Sequence, residues 1–291
     1  MFRSGKELLE FCSINQCKIS RAMIIREMQI FETTEEEIYR RMIEQWKVME
    51  SSIKQSLEKD VQTISGLLGG EAKKMNDRTQ KNQSVCGKVM SKAITYSMGV
   101  MEVSASMGLI VAAPTAGSAG ILPGTLQALQ EEYGWDDLMM VEALIHASAI
   151  GMIIAEQATL SGAEGGCQAE TGSAAAMTAS AIGELLGLNP EDSLQAAAIC
   201  LKNVMGLVCD PIAGLVEAPC QKRNAMGSAN ALISTELVMA GIPSIIPFDE
   251  VVIAMGHVGQ SIPASLRETA LGGLAATPTG CMIKRKMVNH I

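Results

Sequence analysis

The sequence predicts an all-α fold, and three observations carry that reading. The 291 residues are 48% hydrophobic but only 3% aromatic, whereas strands favour aromatic and β-branched side chains. No Val/Ile/Thr runs bounded by turn signals recur, and no fixed-period repeat is visible. With 27 Gly and 20 Met, the core has to be built from small and flexible side chains, which suits closely packed helices. The length permits one large domain, or a domain with an appendage.

Residues 1–60 read as amphipathic N-terminal helices packing on a body formed by residues 61–291. Residues 1–100 hold 16 of the 23 Lys and Arg, and residues 101–283 hold four. Thr33-Thr34-Glu35-Glu36-Glu37 has the form of a helix start with carboxylates in its first turn. Ile38, Met42, Ile43, Trp46, Met49 and Ile53 then recur at helical spacing. Residues 62–90 open on a Gly-rich turn ending at Gly69-Gly70 and turn polar, as a linker or as a loop presented to a site. Beyond them, helices are expected at 88–107, 123–132, 137–157, 171–187, 191–206, 223–240 and 261–272. Gly/Pro/Thr-rich breaks fall at 112–120, 161–169, 208–221 and 273–281. Loops converging from rigid helix ends are where chemistry is usually placed.

The net charge of −8 argues against nucleic acid as a partner. The start of the chain, Met1 to Phe11, is charged too early for a signal peptide, so a cytoplasmic location with free thiols is expected for the eight cysteines. Mean hydropathy is positive, and Val103 to Gln130 carries no charge over 28 residues. Pro114, Pro123 and four glycines interrupt that run, so it is no single membrane-crossing helix. No membrane partner is expected; the rival there is a transporter with broken helices.

The cysteines sort into two groups. Cys200 lies in an apolar helical run and reads as a small buried hydrophobe; Cys12, Cys17 and Cys86, in the charged N-terminal part, read as structural. Cys167, Cys209 and Cys220 differ, because each sits in a break beside Gly or Pro: Gly165-Gly166-Cys167, Cys209-Asp210-Pro211 and Ala218-Pro219-Cys220. Their spacing matches neither a zinc finger nor a ferredoxin run. Lys222 and Arg223, two of the four basic residues in 101–283, directly follow. Positive charge there would stabilise thiolates or attract a substrate carboxylate; the plainer reading is an ordinary charged helix start.

At these residues the sequence resembles the iron–sulfur L-serine dehydratases, specifically the alpha chain of the two-chain type. The resemblance covers most of the chain and rests on Ala113-Pro114-Thr115-Ala116-Gly117-Ser118-Ala119-Gly120, Gly162 to Glu170, Cys209 to Cys220, and Gly273 to Gly280. It implies an all-helical catalytic domain whose loops converge on a [4Fe–4S] cluster held by Cys167, Cys209 and Cys220, with one iron left open for L-serine. It also implies a beta subunit carrying a serine-rich motif that this chain lacks. Where some single-chain members have Asn, this chain has Ala116. Some members end on a cysteine; this chain ends Asn289-His290-Ile291, and Cys281 is a doubtful fourth ligand.

The reaction so implied removes a weakly acidic α-proton and a poor leaving group, so it needs a base and a Lewis acid. Lys73 corresponds loosely to a lysine in the family's glycine-rich segment and is the first candidate base, with His257 second; an exposed Lys73 beside Lys74 is the alternative. Thr115 and Ser118 join Lys222 and Arg223 as expected substrate contacts, and Glu164 and Glu170 bracket Cys167 as groups that orient ligands. His146 reads as a hydrogen-bonded core histidine. The rivals are a same-fold L-cysteine desulfidase, a pyridoxal-phosphate enzyme using the Thr115–Gly120 and Gly162–Gly166 loops as anion cradles, and a structural metal subunit whose cysteines only staple loops.

Overall fold

The structure, a computed structural model, describes residues 2–288; Asn289-His290-Ile291 lie outside the described residues. Thirteen helices follow one another: α1 (Gly5–Asn15), α2 (Ile19–Phe31), α3 (Glu35–Glu58), α4 (Glu71–Gln80), α5 (Gly87–Ala105), α6 (Ile121–Tyr133), α7 (Asp137–Gln157), the single turn α8 (Gly162–Gly165), α9 (Cys167–Leu185), α10 (Pro190–Asn203), α11 (Cys220–Met239), α12 (Phe248–Ser261) and α13 (Pro278–Val288). The described residues contain no strand, only one isolated bridge between Cys209 and Arg267. The all-α expectation holds.

Helix α9 is the axis. Seventeen of its 19 residues are buried, so it has no solvent face to satisfy, and α6, α7, α10 and α11 surround it. That surround admits only small side chains at most positions: Gly172, Ser173, Ala174, Ala175, Ala176, Ala179, Ala181 and Gly183. The low aromatic content follows, because four helices approaching one helix leave little room for rings. Helix α7 is apolar and long enough to cross a membrane by composition, but two-thirds of its apolar window is buried against α9, α2 and α3. It is a core helix.

Carboxylates of the body cap the N-terminal helices. The first turn of α2 has no side-chain cap of its own; Glu184 of α9 supplies one, accepting from Ile19 N at 2.8 Å. The same carboxylate lies 3.0 Å from His146 Nδ1, whose Nε2 meets Ser180 Oγ at 2.8 Å. This Ser–His–Glu row has the order of a hydrolase triad, but all three residues are buried in the α7–α9 seam, so it is structural. Likewise Asp249 of α12 accepts from Gly5 N and Lys6 N at 2.6 and 2.9 Å, capping α1. Trp46, buried on α3, and Phe2 join the same core as α7, α9 and α10.

The helices read from the sequence at 137–157 and 191–206 lie close to where they form, and the others shift by a few residues. Three expectations fail. The segment 261–272 is not a helix: Pro263 stops α12, Glu268 and Ala270 adopt left-handed backbone, and only a 3-10 turn at Ala264–Leu266 remains. The helix lies just before it, as α12, signalled by Asp249 and Glu250 in the first turn. Residues 62–90, read as linker or loop, contain α4 and the start of α5. In 273–281, a 3-10 turn at Gly273–Ala276 leads straight into α13.

Burial alone would raise the Glu184 carboxyl, but His146, Ser20 and the Ile19 N–H hold it down at about 2. A depressed carboxyl contributes stability above its ordinary range and loses it as pH falls through the folded value. Glu184→Gln should therefore lower Tm at pH 7, and the gap to the native chain should narrow as pH falls from about 4.5 toward 2. Thermal unfolding across that window checks it; a gap constant with pH would remove the carboxylate's role.

Candidate active site

Cys167 and Cys220 are the first residues of α9 and α11, and Cys209 lies in the loop between α10 and α11. All three are buried, and none of the eight cysteines is in a disulfide. Helix N-termini carry positive partial charge, so two of the three sulfurs sit where a thiolate is favoured. Gly166, at φ 77° and ψ 178°, makes the bend that starts α9 immediately after α8. Its Cβ, if present, would meet Leu207 O at 2.8 Å, so backbone strain and space both demand glycine there.

The Cys209 loop is held on both flanks by one guanidinium. Arg223 donates to Val208 O at 2.8 Å and to Asp210 Oδ1 at 2.7 Å, and also hydrogen-bonds the Cys167 thiol. Asp210, buried, turns its other oxygen to Leu274 N at 2.7 Å and so ties in the 273–276 turn. From the other side, Cys209 N donates to Leu266 O and Glu268 N to Cys209 O. The failed helix at 261–272 thus serves as the strap that fixes Cys209.

Asn224, fully buried one turn into α11, makes the third tie. Its Nδ2 donates to Gly117 O at 2.8 Å and Cys220 O at 2.9 Å, while its Oδ1 accepts from Gly120 N at 3.0 Å. It thereby fixes the 113–120 loop against Cys220. In that loop Thr115 Oγ1 bonds to Glu170, and Ser118 Oγ lies 3.1 Å from Thr115 Oγ1. A Cβ on Gly117 would stand 2.5 Å from Glu170 Oε1, so only glycine permits this approach.

A cleft of about 580 Å³ opens at this point, lined among others by Thr115, Gly117, Ser161, Gly162, Glu170 and Glu268. A methyl group placed on Gly162 would lie 3.2 Å from Cys209 Sγ, 3.3 Å from Glu170 Oε2 and 3.5 Å from Glu268 Oε2. A thiol and two carboxyls therefore share one small volume. Burial, and then the charge of Glu268, push the Glu170 carboxyl up, against the pull of Thr115 and Arg223. Burial also raises all three thiols, Cys220 to about 12; charge on neighbouring cysteines adds to the rise at Cys209 and Cys220, whereas Thr171 and Arg223 act against it at Cys167. A larger, apolar groove of about 630 Å³ between α1, α10 and residues 243–250 contains no cysteine.

Of the residues singled out from the sequence, Cys167, Cys209, Cys220, Arg223, Thr115, Ser118 and Glu170 come together here. Ser118 is fully buried. Lys222 turns aside and donates to Gln221 Oε1 at 2.6 Å. Lys73 pairs with the exposed Asp60 at 2.6 Å. His257 is no bend residue but an exposed position inside α12. Cys281 lies 3.8 Å from Ala275 O, on α13. Cys200 is buried, with Asn230 Nδ2 at 3.1 Å from its sulfur, Cys12 is buried, and Cys86 is exposed, against the expectation of a packed thiol. Asn224, Gln221 and Glu268 were missed; an Asn four residues after a cysteine is the sort of signal that would have found the first.

Among the described residues no three His, Cys, Asp or Glu side chains converge closely enough for a single metal ion. An iron–sulfur cube makes a different demand, since each cysteine takes its own iron and the sulfurs must surround the group. Three buried thiols, two at helix N-termini and one from the loop between α10 and α11, with the Arg223 guanidinium beside Cys167, fit that demand.

The sequence profile of the family described as "Serine dehydratase alpha chain" matches residues 14–275. The chain is 48% identical to the "Probable L-serine dehydratase, alpha chain" of Bacillus subtilis over 99% of its length and 95% of that protein's. It is 45% identical to the "L-serine dehydratase, alpha chain" of Peptoniphilus asaccharolyticus, over 100% and 99%. The "L-serine dehydratase" of Streptomyces coelicolor is 35% identical over 96% of this chain, which spans 62% of that longer protein.

Arg223→Met should free both flanks of the Cys209 loop and leave Asp210 buried without its cation. Stability should fall on the order of 3 kcal/mol, the scale for breaking a buried ion pair. Cys209 should alkylate faster in the native state. Denaturant unfolding and mapped iodoacetamide labelling check both; an unchanged labelling rate would mean the strap from 266–268 suffices alone.

Proposed function

The chain belongs to the serine dehydratase alpha-chain family, and from that premise we propose that Cys167, Cys209 and Cys220 hold a [4Fe–4S] cluster in its active site. It is the alpha subunit of an L-serine dehydratase, a lyase that yields pyruvate and ammonia. The observation that carries the cluster reading is that three buried cysteines from separate parts of the chain lie close enough to act on one another's charge, with Cys209 Sγ just behind Gly162 in the wall of the cleft.

When bound, the cluster supplies a Lewis acid for the departing hydroxyl. The protein's own groups do the rest. Cys167 and Cys220 present sulfur at helix N-termini, and Arg223 balances thiolate charge beside Cys167 while holding the loop of Cys209. With both Asp210 and Val208 as acceptors, Arg223 is committed to the loop, so its role is to shape the site. Thr115 orients Glu170 through one oxygen, leaving Glu170 Oε2 on the side of Gly162 and Cys209. Burial and Glu268 favour the protonated form of Glu170, which suits a group that takes and returns a proton. Lys73, the base expected from the sequence, is engaged by Asp60, so Glu170 is the better-placed proton carrier.

A beta subunit completes the enzyme in this reading. The alpha-chain relatives match this chain end to end, whereas the chain spans 62% of a relative named simply L-serine dehydratase. The additional portion of such proteins corresponds to what a second chain would bring.

Changing Cys167, Cys209 or Cys220 to Ser should abolish visible absorbance and serine turnover in anaerobically prepared alpha–beta enzyme, while Cys200→Ser preserves both; a full cluster in Cys209→Ser would remove that residue from the site. Glu170→Gln should lower kcat by about 100-fold or more, the scale of general acid–base catalysis, and Lys73→Met should leave it within a few-fold. The reverse ranking would return the base to Lys73. The alpha chain alone should be nearly inactive with serine, and equal turnover without a beta chain would overturn the two-chain reading.

A further inference from the structure

The mechanism leaves one acidic pair unused, a fully buried carboxyl beside a half-buried one. Glu102 of α5 is fully buried. Its Oε1 accepts from Ala72 N at 3.0 Å and from Gln221 Nε2 at 2.9 Å. Its Oε2 is buried with no donor supplied by any ordinary hydrogen-bonding group. The side chain within hydrogen-bond reach of Glu102 that is left to meet it is another carboxyl, that of Glu71, the first residue of α4. Two carboxylates cannot satisfy each other, and two like charges in contact under burial are strongly unfavourable. One proton between them resolves both problems, because it gives Glu102 Oε2 a partner and leaves one net charge.

The pair also joins the Gly-rich turn to α5 and, through Gln221, to α11. Glu71 Oε2 accepts from Gly69 N at 2.6 Å, closing the Gly-rich turn on itself. Gln221, fully buried, follows Cys220 directly and carries Glu102's grip to the first turn of α11. A second carboxylate, Glu217, holds the same stretch of chain from the Cys209–Cys220 loop: it accepts from Thr63 Oγ1 at 2.6 Å and from Ser65 Oγ at 2.5 Å. Residues 63–72 are therefore fastened to the cysteine loops at two points, and one of them contains a shareable proton.

We propose that the Glu71–Glu102 pair shares a single proton that positions the Gly69–Ala72 turn and, through Gln221, the helix start bearing Cys220. Glu102 is a positioning residue; it touches no reacting atom. Its influence on turnover rests on the reading of Cys220 as a site residue, whereas the shared proton stands independently of that reading.

The charged groups bearing on the pair are few. Lys222 on α11 acts on Glu71. Helices α3 and α6, the others against α5, approach it through small neutral groups at Gly99 and Ser97, Ser56 on one side and Gly120 and Gly124 on the other; the charged groups of α6, Glu131 and Glu132, pair with Lys92 and Lys88 ten or more residues before Glu102 on α5, about 15 Å or more along the helix. Burial first, and then Glu71, push the Glu102 carboxyl up to about 7. Burial would raise Glu71 as well, but the Gly69 N–H, Glu102 and Lys222 outweigh it and hold Glu71 below the ordinary range. A carboxyl raised in the folded state keeps its proton there between its ordinary range and the raised value. The tie it makes is thus lost as pH rises through about 7.

Hydrogen exchange of residues 63–72, followed by mass spectrometry from pH 6 to 8.5 on the full chain and corrected for intrinsic rates, reads the tie directly. Protection should fall roughly tenfold or more across that range, since the upper limit lies more than one unit beyond the titration. In Glu102→Gln the side chain keeps both acceptor bonds and donates permanently to Glu71, so protection should stay flat with pH. Glu71→Gln, donating from the other side, should behave alike and serves if the first variant folds poorly. Parallel pH dependence in the native chain and a folded variant would overturn the shared proton. In the assembled enzyme, the alkaline limb of kcat for serine should move up by at least about one unit in Glu102→Gln; an unmoved limb would refute the link to Cys220. Absence of serine turnover in the native enzyme would instead count against the dehydratase reading and leave the exchange result intact.

Discussion

The all-round burial of α9 is the constraint on which the other features depend. A helix with no solvent face needs small residues wherever a neighbour crosses it, and the run from Gly172 to Gly183 supplies them. Adding even one or two methylenes to such a seam typically costs about 1–3 kcal/mol, so sequence and packing fix each other closely here. Because α9 cannot shift, its first residue cannot shift either, and that residue is Cys167. The rigid core thereby delivers one thiol to a set position at the end of the bundle. The N-terminal helices extend the same core, capped by Glu184 and Asp249 from the body.

Around that fixed point the site is assembled by polar side chains buried to serve as ties. Arg223, Asp210, Asn224 and Glu217 each join two or more loops, and each is at least largely buried. Loops alone would be mobile, and a group that must surround a cofactor needs them set in advance. The ties supply that order with hydrogen bonds to backbone, which are strong where water is excluded. The same burial disfavours thiolates, so charge compensation by Arg223 and by helix N-termini is part of the fit and has a local purpose.

Much of this was legible in the sequence, and the failures have physical causes. Helices with caps and long apolar periodicity, such as α3 after Thr34 and α10 after Asn189-Pro190, announce themselves locally. Cys167, Cys209 and Cys220 stood out because Gly and Pro beside a cysteine mark a loop, and loops are where the chain can bend around a site. The segment 261–272 misled because its composition is helical while its conformation is set by a distant bridge to Cys209. Glu268 was invisible for the same reason. Lys73 was singled out by its place after Gly69-Gly70, yet its partner Asp60 lies thirteen positions away in sequence, and pairing of that kind leaves no periodic signature. Glu71 and Glu102 look like unrelated helix residues until the fold brings them into contact.

The central claim is that three loop cysteines, brought together by a rigid core and buried ties, hold an iron–sulfur cluster in the catalytic cleft. Iron and acid-labile sulfide per alpha chain, measured after anaerobic purification of the alpha–beta enzyme, test it most directly. About four of each per chain, the content of one cubane, is the predicted result, with turnover rising and falling in proportion to it. Full serine turnover by enzyme free of iron and sulfide would contradict it.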